Sequence, residues 1–106
     1  MPRYLLAGSY SPQGSKGVLS GGGTARRTAV EKLVSDLGGR VESFDFAFGS
    51  DDFYTIVELP DARAATAIAL TVNASGAVNL RTTVLLTPEE VDAAGQLQPD
   101  YQPPGS

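Results

Sequence analysis

Cysteine and histidine are both absent from the 106 residues of this chain, so any chemistry must rest on carboxylates, arginines, tyrosines and hydroxyls. That excludes serine–histidine and cysteine–histidine nucleophiles and most zinc and haem sites, and no metal or cofactor is expected. Two carboxylate pairs stand out. Asp51-Asp52 follows Phe48-Gly49-Ser50 and reads as turn chemistry, since Asp bonds locally and tolerates positive φ. Glu89-Glu90 follows Thr87-Pro88 and reads as a capping box at a helix N-terminus. The run Gly21-Gly22-Gly23 could offer free N–H groups to an anion, but it lacks the spacing of a dinucleotide fingerprint and reads as a hinge. Five side chains remain as candidate ligand contacts: Tyr10, Asp45, Tyr54, Glu58 and Arg81. Strand alternation sends the last four to one mixed sheet face, with Tyr10 joining them from the end of the first strand. An arginine with two carboxylates and a tyrosine can hold a small polar ligand. It can also form ion pairs inside a subunit interface, where a charge must be paired to be tolerated, and that reading is favoured. No catalytic residue is assigned.

The elements that must position these residues alternate as β-α-β-β-α-β. Arg3 to Tyr10 is a short apolar strand closed by Ser-Pro. Ser15 to Leu19 can form one helical turn, but three successive glycines are costly in a helix, so the main helix is expected to start afresh with Thr24 as N-cap. Val30, Leu33, Val34 and Leu37 then mark one apolar stripe of 3.6-residue period, stopped by Gly38. Arg40 to Phe48 alternates as a strand, with Glu42, Phe44, Phe46 and Phe48 opposite Val41, Ser43, Asp45 and Ala47. A tight turn over Gly49–Asp52 leads to a strand from Phe53 to Leu59. In the expected register Phe48 meets Phe53, Phe46 meets Thr55 and Phe44 meets Val57. Asp61 caps a helix carrying Ala65, Ile68, Ala69 and Val72, with Gly76 as its stop. Val78 to Leu86 is the last strand, and a short helix runs from the Thr87 cap to about Ala94. One domain over residues 1–94 is expected, followed over 95–106 by a proline-rich arm or disordered tail.

Net charge is −4, and the eight basic residues are scattered; the one adjacent pair, Arg26-Arg27, reads as a solvated helix face. A phosphate-binding surface needs clustered cations, so nucleic acid is not an expected partner. No apolar run approaches the ~20 residues that span a bilayer, and Met1-Pro2-Arg3 enters a strand with no signal-peptide pattern. A soluble cytoplasmic protein with no membrane contact is the expectation.

Several strings, taken with the element order, resemble the GYD domain family. They are Tyr4-Leu5-Leu6 with Gly8-Ser9-Tyr10, then Leu37-Gly38-Gly39, Phe46-Ala47-Phe48-Gly49, Val72-Asn73-Ala74-Ser75-Gly76, and Thr82 through Glu90. The likeness covers roughly residues 3–94. The Gly-x-Tyr-Asp turn that gives the family its name is partly kept: Gly49 and Asp52 match, while Asp51 stands in the tyrosine's place. Any role of that tyrosine would be missing from this chain. The resemblance implies a ferredoxin-like βαββαβ two-layer sandwich that dimerises as an α/β barrel, and it implies no catalytic residue. The expected α+β fold has an antiparallel sheet ordered 4-1-3-2 with two main helices on one face. The other face needs covering, and a second copy is the economical cover. Two functions follow from this. One is a non-catalytic homodimeric module for a small molecule or for protein contacts. The alternative is a cofactor-independent enzyme resembling the monooxygenases or isomerases of the dimeric barrels. A preformed apolar pocket with a converging tyrosine or carboxylate of raised pKa would favour the enzyme.

Overall fold

The computed structural model describes residues 1–105; Ser106, the last residue of the expected tail, lies outside the described residues. In chain order the elements are β1 (Arg3–Tyr10), α1 (Pro12–Gly21), α2 (Gly23–Asp36), β2 (Arg40–Phe46), β3 (Phe53–Glu58), α3 (Ala62–Ala74), β4 (Val78–Leu85) and α4 (Pro88–Gly95). The four strands form one antiparallel sheet in the order β2-β3-β1-β4, the arrangement expected from the sequence. Helices α1, α2 and α3 cover one face. The core between the layers holds Tyr4 and Leu6 of β1, Val57 of β3, Leu80 of β4, Val34 of α2, and Ala65 and Ile68 of α3. These positions follow the 2-residue and 3.6-residue periods read from the sequence.

Two local expectations are corrected. The segment after β1 is a full helix rather than a single turn, because Ser11 caps it by accepting from the Gly14 amide at 3.2 Å and Pro12 opens it. The glycine run then breaks the chain at one residue. Gly22 sits at φ +87°, which ends α1 and begins α2, so Gly22 and not Thr24 is the N-cap of the main helix. Gly23 must also be small, since a Cβ there would lie 2.9 Å from the Phe46 ring.

The β2–β3 hairpin is the second correction. Phe46 pairs with Phe53, Phe44 with Thr55 and Asp45 with Tyr54, two residues away from the expected register. The strands end earlier, leaving a loop over 47–52 in which the Ala47 amide donates to the Asp52 carbonyl at 2.9 Å and the Gly49 amide to the Asp51 carbonyl at 3.1 Å. A bulge between Val41 and Ser43 sets Val41 opposite Val57 on the helix-covered face, reversing its expected side. Phe48, expected inside, is exposed and stacks on Phe46 with ring centroids 5.6 Å apart.

At the other edge, Asn73 of α3 reaches over β4. Its carbonyl accepts from the Leu80 amide at 2.7 Å and its amide donates to the Leu80 carbonyl at 3.3 Å. Helix α4 carries the expected capping box, with Thr87 and Glu90 bonded reciprocally, and buries none of its residues. Residues 96–105 carry no helix or strand and are all exposed. The radius of gyration is accordingly 16.8 Å, above the ~13 Å of a compact 100-residue domain. No helix among the described residues is long and apolar enough to cross a membrane.

Candidate functional site

The uncovered sheet face is ordered in rows across the strands. Arg40, Glu58, Arg3 and Leu85 make one row; Ser43, Ile56, Leu5 and Thr83 the next; Asp45, Tyr54, Ala7 and Arg81 the third. Three of the expected ligand contacts, Asp45, Tyr54 and Arg81, therefore do share a row, and Glu58 lies two rows along. They do not converge. Arg40 pairs with Glu58, Arg3 donates to Glu42 at 2.7 Å, and Asp45 has no ion-pair partner among the described residues.

Arg81 pairs with Asp51, where the sequence pointed to Glu58 or Asp45. The hairpin loop curls so that Asp51 tucks onto this face with only 5% of its surface exposed, and its carboxylate also accepts from the hydroxyls of Ser9 and Tyr54, each at 3.3 Å. Asp52 beside it accepts from the Tyr10 amide at 2.8 Å, while the Asp52 amide donates to the Gly8 carbonyl at 2.8 Å. The two aspartates thus fasten the loop to β1 and β4 and are more than local turn residues. A buried carboxylate with two hydroxyl donors and a cation is satisfied, so this cluster holds structure together.

Tyr10 is on the opposite face. Its ring stands beside Phe53 with centroids 5.4 Å apart, and its hydroxyl is buried without a hydrogen-bond partner among the described residues. It lines a cleft of about 510 Å³ between α1–α2 and the C-terminal end of α3. Val18, Val72 and Val78 supply apolar wall, and Gly14, Gly17 and Gly21 line the α1 side. Arg26 of α2 completes the lining, half-buried and with no salt bridge or side-chain hydrogen bond among the described residues. Behind Arg26 a smaller void of about 30 Å³ reaches into the core between Val30, Ile68 and Leu80. Burial pushes the Tyr10 phenol above the ordinary tyrosine value; the Arg26 charge partly opposes this and Asp52 adds to it. Tyr10 is therefore a neutral O–H near neutral pH, a donor with no acceptor among the described residues.

The model of the GYD domain matches residues 4–94 of this chain. The chain belongs to the GYD domain family. No curated protein and no solved structure matches it. In this GYD domain Asp51 of the hairpin loop is the buried acceptor of Arg81.

Arg26 is the cleft residue that reading the sequence missed. Its signal was present: Arg26, Val30, Leu33, Val34 and Leu37 share one helical stripe, so Arg26 extends the buried face of α2 while Arg27 points to solvent.

Proposed function

We propose that this GYD domain is a homodimeric module that binds a small molecule in the cleft of each protomer, its open sheet faces packed together as an α/β barrel. Support for the dimer comes from the open face. Leu5, Tyr54, Ile56 and Leu85 are only half-buried on it, and its Arg3, Glu58 and Arg81 charges are already paired, so covering it strands none of these. The observation that carries ligand binding is the unpartnered Tyr10 hydroxyl beside an unpaired Arg26 in a cleft of ligand size. The same raised tyrosine favours a second reading, a cofactor-independent enzyme. The cleft lining holds no carboxylate, so such an enzyme would act through donation by Tyr10 and Arg26 rather than through a base.

Light scattering at micromolar concentration should give at least twice the 11.0 kDa chain mass. A thermal-shift screen of small fragments should give stabilising hits whose amide shifts map to α1, Arg26 and Val78. A monomer would remove the barrel, and hits confined to other surfaces would remove the ligand-binding reading.

A further inference from the structure

We propose that the cleft takes a small planar organic anion, a carboxylate or enolate on a flat apolar body, with its charged oxygen between the Tyr10 hydroxyl and the Arg26 guanidinium. The inference rests on the small-molecule reading above and adds the chemical class. Tyr10 and Arg26 both line the cleft, and neither has a side-chain partner among the described residues. A buried phenol left without an acceptor is costly, and an anionic oxygen that reached it and the Arg26 guanidinium together would satisfy the phenol and pair the charge. Most of the remaining lining is apolar or small, which suits a flat body, and Gln13, Thr71 and Ser75 are its other polar side chains.

The shape of α1 points the same way. Gly14, Gly17 and Gly21 fall at i, i+3 and i+7 and share the helix face that lines the cleft. A Cβ on Gly17 or Gly21 would meet nothing within 4 Å, so packing does not demand glycine at these two positions. Each helical glycine forgoes roughly 1 kcal/mol relative to alanine. The helix gives up this stability while the space stays open, as expected where something else fills it. Gly14 differs, because a methyl there would overlap the Ala77 carbonyl.

Benzoate and its neutral isostere benzamide are the probes, titrated into the labelled full chain and followed by amide chemical shifts. Benzoate should shift Gly17, Gly21, Arg26 and Val78 and bind about tenfold more tightly than benzamide, the margin expected of a charge-assisted contact. Arg26→Met should abolish that preference, and Tyr10→Phe should weaken benzoate severalfold. Gly17→Leu should block both probes while leaving the melting temperature unchanged or higher, which separates occlusion from unfolding. Equal binding of benzoate and benzamide in the cleft overturns the anion assignment and leaves the small-molecule reading standing. Absence of cleft shifts with either probe at millimolar concentration overturns both. Benzoate binding that survives Arg26→Met and Gly17→Leu places the anion elsewhere and also overturns the proposal.

Discussion

Replacing Asp51 should destabilise the fold well beyond what an exposed hairpin residue would. The carboxylate is buried and accepts two hydroxyls at 3.3 Å in addition to the Arg81 guanidinium. At that length the hydroxyl bonds are weak, so each is assigned less than the ~1.5–3 kcal/mol usual for a bond to a charged group. The Arg81 side chain is 67% exposed, and solvent screening limits its pairing to under about 1 kcal/mol. Asp51→Ala should therefore cost about 2–3 kcal/mol, which also includes release of the loop from β1. Arg81→Met should cost about 1 kcal/mol in low salt and less in high salt, because the guanidinium is the exposed partner. Urea denaturation of both single variants and the double variant yields the coupling between them. If Asp51→Ala melted within 0.5 kcal/mol of the parent, near the ~0.5 kcal/mol typical of surface changes, the buried-acceptor account would be wrong.

Gly8→Ala should cost about 1–3 kcal/mol by overpacking, because a methyl at Gly8 would overlap the ring of the buried Phe53; calorimetry that finds no loss refutes the close approach. Phe46→Ala should fall near the lower end of the ~3–5 kcal/mol range for phenylalanine truncation, since Phe46 is half-buried on an edge strand; a chemical melt that ranks it beside the exposed Phe48→Ala would contradict the face assignment. The Tyr10 phenol has its folded-state pKa raised above the ordinary 10.0. Its stabilising contribution is thus complete below about pH 10 and is lost as pH climbs through the folded value. Ultraviolet titration should show a late tyrosine ionisation that Tyr10→Phe removes; an unchanged titration curve in that variant would exclude the shift.

The layer order, the sheet order and most core positions were legible because each rests on a local period that tertiary packing reinforced: Val34 on the α2 stripe, Val57 on an alternating strand face. The hairpin was legible only as a hairpin. Its register depended on how far the loop extends, and the bonds from Ala47 to Asp52 and from Asp52 to Gly8 that settle this join residues no local pattern connects. The same loop carries Asp51 to Arg81, so the error in register and the missed ion pair have one cause. Tyr10 was expected with the open-face residues because the strand's phase was left unfixed at its end. Its evenness with Tyr4 and Leu6 would have put it under the helices. Arg26 was taken as solvated because charge was weighed before helical position.

The clasp of Asn73 on Leu80 has a consequence for how copies of this chain can meet. A sheet grows sideways when a free edge offers paired N–H and C=O groups to another strand. On β4 the Leu80 amide and carbonyl are already occupied by the Asn73 side chain. On β2 the bulge after Val41 bends the ladder, and Arg40, Glu42 and Asp45 are charged. The Asn73 bonds thus occupy one outward pair on β4, and the bulge and charges oppose strand addition at β2, while the broad surface between them stays open. Contact through that surface terminates at a pair, because each copy has only one such face; contact through an edge would repeat without limit. Asn73→Ala, by freeing the Leu80 groups, should turn a terminating association into fibrillar growth visible with an amyloid dye.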